Sequence, residues 1–237
     1  DGEGTERVVF GTFSGYLYSL DAHTGQPDTT FGEGGRTDLT QGLGRPVERW
    51  AYAHPSPPMI CRDVIVTGSA IIDMRVQNKR QPEITPPGDV RGYDVRTGEL
   101  LWTFHAIPRE GEFGADTWQE GAWKEFGAVN VWSMMSADEE LGYVYLPFGT
   151  PSNDFYGGDR PGDNLFGDSI VCLDARTDGE NRLSCHRVSN VISEQDSNAR
   201  SVTHGSRIPP ARSGWLRLPP TPAHRLGKKD CPNCWAS

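Results

Sequence analysis

Oxygen-bearing side chains are concentrated between residues 150 and 154, where the sequence reads Thr-Pro-Ser-Asn-Asp. Carboxylate and carbonyl oxygens are the groups that hard cations such as calcium and magnesium bind, so Asn153 and Asp154 are candidate metal ligands by residue type. The run Pro-Ser-Asn-Asp is equally typical of a surface turn. The residues alone leave both interpretations open.

The remaining residues of metal-binding type are cysteines. Cys231 and Cys234 form a single Cys-x-x-Cys pair, but tetrahedral zinc would need two further ligands, and no second pair has a recognised spacing. A redox role would need a βαβ context, which the surrounding sequence lacks. Cys61 and Cys172 lie within strand-like runs, so we expect them to be small buried residues and not reactive thiols.

A recurring turn marks the elements that would position these residues. The pattern apolar-Asp-x-x-Thr occurs at residues 20–24, 93–97 and 173–177, so the aspartates are 73 and 80 residues apart, and each copy follows a run of strand-forming residues. The Asp can accept backbone N–H groups within a hairpin turn, and the Gly that follows the first two copies can adopt a positive φ. Regular recurrence of this kind predicts consecutive β-blades with long loops. Three unrelated hairpins in an all-β domain are the alternative.

The central repeat shows the pattern most clearly. Val90 to Tyr93 and Leu100 to Phe104 are predicted to form the two arms of a hairpin, with Trp102 laid over a neighbouring sheet. The segments between such hairpins are rich in Gly, Pro, Asp and Asn and are predicted to be loops. Strands are predicted over residues 8–10, 16–20, 59–61, 63–68, 130–135, 143–148 and 168–174, and loops over residues 26–44, 74–88, 105–129 and 149–167.

The pattern Asp-x-x-Thr-Gly-x-x-x-Trp resembles the tryptophan-docking repeat of the quinoprotein dehydrogenases. Three longer strings are similar to the membrane-bound glucose dehydrogenase branch of that family: VRGYDVRTGELLW, NVWSMMSADEELGYVYLPFGTPSNDFYGG and GDSIVCLDART. The resemblance covers residues 7 to 177. It implies an all-β fold with about three to four blades of an eight-bladed propeller. It also implies that pyrroloquinoline quinone (PQQ) and a divalent metal, calcium or magnesium, lie on the propeller axis.

The resemblance also assigns cofactor contacts. Trp132, in the string Asn130-Val131-Trp132, matches the tryptophan on which the flat quinone stacks, and Asn130 belongs to the same motif. Asp73 matches an aspartate of the pocket that holds both the quinone and the metal, although Met74 replaces the asparagine that usually follows. The alternatives are a blade-packing role for Trp132 and a loop-capping role for Asp73.

The same resemblance suggests the metal ligands. Asp73 is one of them, and Thr150 stands where the family commonly has a metal-binding asparagine. Because a hydroxyl is a weaker ligand than an amide oxygen, Asn153 and Asp154 are candidates to compensate. His54 and Arg62 lie near the element of Asp73 and are expected to be mainly solvated, with contact to the carboxylates of the cofactor as the alternative.

The implied reaction is oxidation of a sugar or alcohol, glucose-like, with electrons passed to membrane quinone. A general base must take the alcohol proton, and in the family this base lies in a His-His-Asp segment soon after the third repeat. The sequence has no such segment, so no catalytic residue is assigned and the chain alone is expected to be inactive. The alternative function is a non-catalytic propeller scaffold of the outer-membrane assembly type.

Composition changes at residue 177. Residues 1 to 177 carry 14 basic and 27 acidic residues, whereas residues 178 to 237 carry 9 and 5 and contain few apolar runs. An acidic body argues against nucleic acid as a partner. We therefore expect a partial PQQ-type propeller over 1–177 and a divergent, disordered tail over 178–237. The chain leads within a few residues into a strand-like run, which suggests an internal fragment of a longer protein. The resemblance implies that the full-length protein is a periplasmic enzyme attached to the inner membrane.

Overall fold

The computed structural model of the chain describes residues 6–72, 85–124, 126–152, 157–158, 160–176 and 184–187. These residues form short strands joined by turns and loops, and none of them lies in a helix long and apolar enough to cross a membrane. Short 3-10 helices occur at Arg49–Ala51, Ala115–Thr117 and Gln119–Lys124. The strands are β1 (Arg7–Gly11), β2 (Tyr16–Asp21), β3 (Arg36–Asp38), β4 (Tyr52–Ala53), β5 (Met59–Cys61), β6 (Val64–Thr67), β7 (Ala70–Ile71), β8 (Val90–Asp94), β9 (Leu100–Phe104), β10 (Ser136–Asp138), β11 (Tyr143–Pro147), β12 (Ser169–Asp174) and β13 (Ser184–Arg187).

The strands assemble into antiparallel sheets that follow the order of the chain. Two four-stranded sheets have the orders β5-β6-β8-β9 and β10-β11-β12-β13, and a three-stranded sheet has the order β1-β2-β3. The small pair β4-β7 flanks the first hairpin of the sheet β5-β6-β8-β9, because β4 precedes β5 in the chain and β7 follows β6. Consecutive meandering sheets of this kind are propeller blades. The predicted all-β, partial-propeller fold is confirmed, and we call the three larger sheets blades 1, 2 and 3 in chain order.

The three repeat turns occupy equivalent positions in the blades. Each follows the last strand but one of its sheet, namely β2, β8 and β12. Asp21 Oδ1 accepts the N–H of Thr24 at 2.7 Å, and Asp94 Oδ1 accepts that of Thr97 at 2.8 Å. Asp174 Oδ1 accepts the N–H of Arg176 at 2.8 Å. The aspartates therefore build the turns as the sequence predicts, by satisfying backbone donors that the strands leave unpaired.

Trp102 joins blade 2 to blade 3. Its side chain is 4% exposed, and its indole lies flat against Gly92, where a side chain of any size would collide with the ring. The indole Nε1 donates to the carbonyl of Ala175, in the repeat turn of blade 3, at 2.9 Å. The predicted packing of Trp102 between two blades is confirmed.

Blade 1 makes the corresponding contact with a phenylalanine. Phe31 is fully buried, and its ring lies against Gly98 in the repeat turn of blade 2. Thr37 Oγ1 donates to the Gly98 carbonyl at 2.9 Å beside it. The sequence pattern did not identify Phe31, because it lies ten residues beyond Asp21 whereas Trp102 lies eight beyond Asp94.

Strand β6 of blade 2 is buried on both faces. Val64 and Val66 belong to the core between blades 2 and 3, whereas Ile65 belongs to the core between blades 1 and 2. Successive side chains point to opposite faces of a sheet, so a strand sandwiched between two blades must be apolar at every position. This arrangement explains the unbroken run Val-Ile-Val in an otherwise polar sequence.

Some predictions of local structure were wrong. Residues 130–135 were predicted to be a strand, but the strand β10 begins only at Ser136, and the preceding segment has no ladder partner and bends at Ser133. The predicted loop over residues 26–44 contains the outer strand β3. In the long loop before β10, Trp118 is buried and donates its Nε1–H to the carbonyl of Leu165 at 2.6 Å, which agrees with the expectation that aromatic residues dock this loop.

The predicted boundary at residue 177 lies inside blade 3. Strand β13 pairs with β12 from Ser169 opposite Arg187 to Cys172 opposite Ser184, so part of the predicted tail adds a fourth strand to the blade. The rest of the predicted tail, including Cys231 and Cys234, lies outside the described residues. The division into a propeller over 1–177 and a disordered tail over 178–237 stays a prediction.

Candidate functional site

Four chain segments meet at one end of blades 2 and 3. Residues 54–56 precede β5 and residues 68–69 follow β6, so both lie at the open end of that hairpin. Residues 130–132 precede β10 and residues 149–150 follow β11, at the open end of the next hairpin. Hydrogen bonds join the four segments to one another, and we call this group of residues the hairpin-end site.

Trp132 presents the largest apolar surface of the site. Its side chain is 61% exposed, although its neighbours Val131 and Val129 are buried. Its backbone carbonyl accepts a hydrogen bond from Ser56 Oγ, and a side chain at Gly149 would begin 3.2 Å from its indole Nε1. The chain thus fixes the backbone of Trp132 while it leaves much of the ring uncovered. A large exposed aromatic face on a fixed backbone is typical of a binding surface.

Asn130 ties the segments together. It is 6% exposed, and its Nδ2 donates to the carbonyl of Ser69 at 2.5 Å. Its own carbonyl accepts the N–H of Gly149 at 3.0 Å. The structure thus places Asn130 behind Trp132, where it holds the segments that follow β6 and β11.

Thr150 lies next to Gly149 and has an acidic partner. Its Oγ1 donates to Asp168 Oδ1 at 2.7 Å, and the N–H of Asp168 donates back to the carbonyl of Gly149 at 3.3 Å. Asp168 therefore adds a carboxylate beside the predicted metal ligand. Asp168 belongs to the string GDSIVCLDART, but the resemblance assigned no site role to it, and only the fold brings its carboxylate to Thr150.

The remaining predicted ligands cannot be placed. Asp73, Asn153 and Asp154 lie outside the described residues. Ile72, the residue before Asp73, donates its N–H to the carbonyl of Ala51 at 3.0 Å. Within the described part of the chain, no group of three or more His, Cys, Asp and Glu side chains could hold a metal ion.

His54 is not solvated, contrary to expectation. It is 4% exposed, its ring packs edge-on against Tyr52 with centroids 4.8 Å apart, and its Nδ1 lies 2.6 Å from the carbonyl of Gly68. Burial, together with the nearby guanidinium of Arg91, lowers the pKa of His54 to about 3. The ring is therefore neutral, with its Nδ1–H donated to Gly68 and Nε2 left as a buried acceptor.

Arg62 lies away from the hairpin-end site. It forms the turn between β5 and β6, at the opposite end of that hairpin from Gly68. Its guanidinium donates to the carbonyls of Glu139 at 3.2 Å and Glu140 at 2.5 Å. Arg62 thus fastens blade 2 to the hairpin turn of blade 3, which explains its position better than a cofactor contact.

His54 should make stability depend on pH. Its pKa is about 6.5 in the unfolded chain and about 3 in the fold, so between these values only the unfolded chain takes up the proton. The free energy of unfolding should therefore fall as the pH falls below about 6.5, by up to ~1.4 kcal/mol per pH unit from this group. Chemical denaturation from neutral pH to about pH 4.5 would measure this slope in the wild type and in His54→Gln.

The amide of His54→Gln does not titrate, so this part of the slope should disappear in the variant. The matched control is His23→Gln, since the His23 side chain is 73% exposed. The control should keep the wild-type slope. Equal slopes for the wild type and His54→Gln would contradict the assignment of His54 as a buried neutral ring.

Comparison with known proteins identifies the propeller. The profile of the family described as "PQQ: Glucose/ethanol/alcohol dehydrogenase, beta-propeller domain" matches residues 1–201. The chain is 32% identical over 172 residues to the glycerol dehydrogenase large subunit of Gluconobacter oxydans (strain 621H), an alignment that covers 72% of this chain and 22% of the relative. It is 34% identical over 179 residues to the quinate/shikimate dehydrogenase (quinone) of Acinetobacter baylyi, covering 75% and 21%.

Two further matches extend the comparison. The quinoprotein glucose dehydrogenase of Escherichia coli (strain K12) is 29% identical over 218 residues, covering 88% of this chain and 26% of the relative. Among solved structures, the quinohemoprotein alcohol dehydrogenase from Comamonas testosteroni superposes with a TM-score of 0.59 at 25% identity, covering 76% of this chain and 26% of that one. The chain therefore spans about a quarter of the length of these relatives.

The structural match, the repeat turns and the family profile agree with one another. The predicted resemblance to quinoprotein dehydrogenases is confirmed, and the glucose dehydrogenase among the relatives is consistent with the predicted branch. The profile continues past residue 177, where the resemblance was expected to stop. PQQ together with a divalent metal is the cofactor set that this family implies. The chain belongs to the family of PQQ-dependent glucose, ethanol and alcohol dehydrogenases, as part of its β-propeller domain.

Proposed function

We propose that this chain supplies one wall of the cofactor pocket in a PQQ-dependent dehydrogenase that oxidises a CH–OH group of a sugar or alcohol. The observation that carries the proposal is the uncovered indole of Trp132 at the hairpin-end site. A flat tricyclic quinone buries most apolar surface against the largest aromatic face available, and tryptophan offers that face. Bound PQQ would act as the acceptor of two electrons from the substrate.

The residues present fit the quinone ring. The indole of Trp132 has the area for stacking, and its backbone is held by Ser56 at the carbonyl of Trp132 itself and by Asn130 two residues earlier. In this proposal the quinone stacks on the indole of Trp132. Asn130 fixes the position of Trp132 relative to the segment that leads to Asp73. Because the side chain of Asn130 is buried, it would act mainly by positioning.

The metal would be calcium or magnesium, bound by oxygen ligands. We propose Asp73, Thr150, Asn153 and Asp154 as its ligands from this chain. Thr150 donates its hydroxyl hydrogen to Asp168, which leaves the hydroxyl oxygen available as an acceptor toward a cation. The carboxylate of Asp168 is an additional candidate on the same side of Thr150.

The substrate class and the electron acceptor are proposed from the relatives. Those named for a substrate act on glycerol, quinate or shikimate, and glucose, which all carry secondary or primary hydroxyl groups. One of these names specifies a quinone as the acceptor. We propose a sugar or alcohol substrate, membrane quinone as acceptor, and a periplasmic enzyme attached to the inner membrane in its longer form. Nucleic acid is not an expected partner of the acidic body.

Turnover should require more than this chain. The sequence contains no His-His-Asp segment after the third repeat, where the resemblance places the general base. With PQQ and calcium added, the chain should not oxidise glucose, glycerol or ethanol with an artificial electron acceptor. Reduction of the artificial acceptor at a higher rate than with PQQ alone would show that a general base is present in this chain. That result would contradict the expectation.

Calorimetric titration of PQQ into the chain tests the proposal. We expect saturable binding at one site, and tighter binding with calcium or magnesium than with a chelator, because a cation held by the proposed oxygen ligands would add positive charge beside the carboxylates of the cofactor. The controls are the titration of PQQ into heat-denatured protein and the titration of buffer into the folded chain. If PQQ does not bind under any of these conditions, the non-catalytic scaffold becomes the better interpretation.

A further inference from the structure

A group of buried polar side chains lies between blades 1 and 2, and its members share two properties. Each residue is at most 4% exposed, and each has a buried nitrogen or oxygen atom that no group in the described part of the chain hydrogen-bonds. We call this group the inter-blade cluster, and the atoms in question are Tyr52 Oη, His54 Nε2, Ser69 Oγ, Arg91 Nε and Tyr93 Oη. Because buried polar atoms normally have hydrogen-bond partners, five such atoms in one region require an explanation.

Strand β8 points two members of the cluster towards blade 1. Arg91 and Tyr93 alternate on this strand, and Arg91 donates to the carbonyls of Leu39 and, at 2.7 Å, of Gln41, just beyond β3. The guanidinium carbon of Arg91 lies 5.6 Å from the centroid of the Tyr93 ring. Tyr52 belongs to the same core as Tyr93. Burial raises the pKa of Tyr52, and the nearby guanidinium of Arg91 opposes this shift.

The β4-β7 pair brings the other two members of the cluster together. Ala53 lies opposite Ala70 in this antiparallel pair, so His54 and Ser69 are the next residues to face each other in the same register. The ring of His54 also packs against Tyr52, with centroids 4.8 Å apart. Neighbouring strands thus gather the five side chains into one buried region beside the hairpin-end site.

The chemistry of these atoms indicates which ligand the cluster would bind. Arg91 Nε carries a hydrogen and can only donate, whereas His54 Nε2 can only accept, because the Nδ1–H of this neutral ring is donated to Gly68. The three hydroxyl groups can donate or accept. A ligand that satisfies the cluster must therefore both accept and donate hydrogen bonds. A halide ion would be attracted by the buried guanidinium, but it has no hydrogen to donate to His54.

We propose that the inter-blade cluster is a binding site for ordered water, which accepts a hydrogen bond from Arg91 Nε and donates one to His54 Nε2. The hydroxyl groups of Tyr52, Ser69 and Tyr93 complete the hydrogen bonds of this water. A buried water molecule typically makes about three hydrogen bonds to polar groups that would otherwise be unsatisfied. The water would thereby connect β8 to the β4-β7 pair. The proposal does not depend on PQQ, and its test uses the chain without cofactor.

A crystal structure of the full chain without PQQ, from crystals soaked in bromide, tests the proposal directly. We expect a solvent peak within hydrogen-bond distance of both Arg91 Nε and His54 Nε2, without the anomalous signal of bromide. An anomalous peak at this position would identify a halide site and overturn the proposal. Direct hydrogen bonds among the five side chains, with no solvent between them, would overturn it as well.

Oxygen-17 magnetic relaxation dispersion detects long-lived internal water in solution. Tyr52→Phe removes one hydroxyl partner, so the amplitude of the dispersion should fall by the contribution of about one water molecule. Tyr93→Phe should have the same effect and serves as a second variant if Tyr52→Phe does not fold. The matched control is Tyr18→Phe, since the Tyr18 hydroxyl accepts a hydrogen bond from Arg36 at 3.1 Å on an exposed surface. The control should keep the wild-type amplitude, and unchanged amplitudes in the folded cluster variants would contradict the proposal.

Discussion

Replacing Trp132 by alanine should weaken PQQ binding by about tenfold to hundredfold. Stacking of a flat heterocycle on an aromatic side chain contributes roughly 1–3 kcal/mol when it is measured by alanine substitution, and this range corresponds to that loss of affinity. Because the side chain is 61% exposed, its removal should change the free energy of unfolding by less than about 1 kcal/mol. PQQ titrations and urea denaturation of the same protein samples would measure the two effects.

Two substitutions serve as controls for this result. Trp132→Phe keeps an aromatic face and should retain part of the affinity. Met134→Ala removes a neighbouring side chain that is even more exposed, at 78%, and should leave PQQ binding unchanged. Equal affinities for the wild type and Trp132→Ala would show that the quinone does not stack on this residue.

Replacing Trp102 by alanine should lower the free energy of unfolding by about 3–5 kcal/mol. The substitution would empty the space over Gly92 and leave the carbonyl of Ala175 without its donor. Both losses fall at the contact between blades 2 and 3, so separation of the blades should become easier. Urea denaturation followed by far-ultraviolet circular dichroism would measure the change in midpoint and in slope.

Leu101→Ala is the matched control for Trp102→Ala. Leu101 precedes Trp102 on β9 but is 49% exposed, so its truncation should cost less than about 1 kcal/mol. A loss in Trp102→Ala that is no larger than in Leu101→Ala would mean that the blade contact is not held by the indole.

Much of the fold could be predicted because its decisive interactions are local. Asp21, Asp94 and Asp174 each accept hydrogen bonds from backbone N–H groups within the next three residues. Turns formed by residues so close in sequence can be predicted from the sequence alone. The apolar strands around each turn then follow from their composition. The packing of Trp102 over a neighbouring sheet was predicted from its place on the hairpin, although its hydrogen-bond partner, the carbonyl of Ala175, is 73 residues away. The resemblance added the number of blades.

The errors occurred where distant residues decide the local structure. The segment before β10 has the composition of a strand, but its polar groups bond to Ser69, Gly149 and Ser56, so it stays outside the ladder. His54 has a polar side chain in a proline-rich stretch, which suggested solvent exposure. Its burial depends on Tyr52 and on the close approach of Gly11, and no local pattern encodes either contact.

The site was only partly predictable for the same reason. Trp132 and Thr150 could be identified because they belong to strings that resemble a family, and the structure brings them together through Gly149. Asp168 also belongs to such a string, GDSIVCLDART, but the resemblance assigns it no site role, and it lies 18 residues beyond Thr150. Its carboxylate becomes a candidate metal ligand only because the fold places it beside Thr150.

A crystal structure of the chain with PQQ and calcium is the most direct test of the central claim. The quinone plane is expected to lie parallel to the indole of Trp132, at a van der Waals separation of about 3.5 Å, at the open end of the hairpins of blades 2 and 3. PQQ bound elsewhere, with the ring of Trp132 still uncovered, would contradict the assignment of Trp132 as the floor of the cofactor pocket.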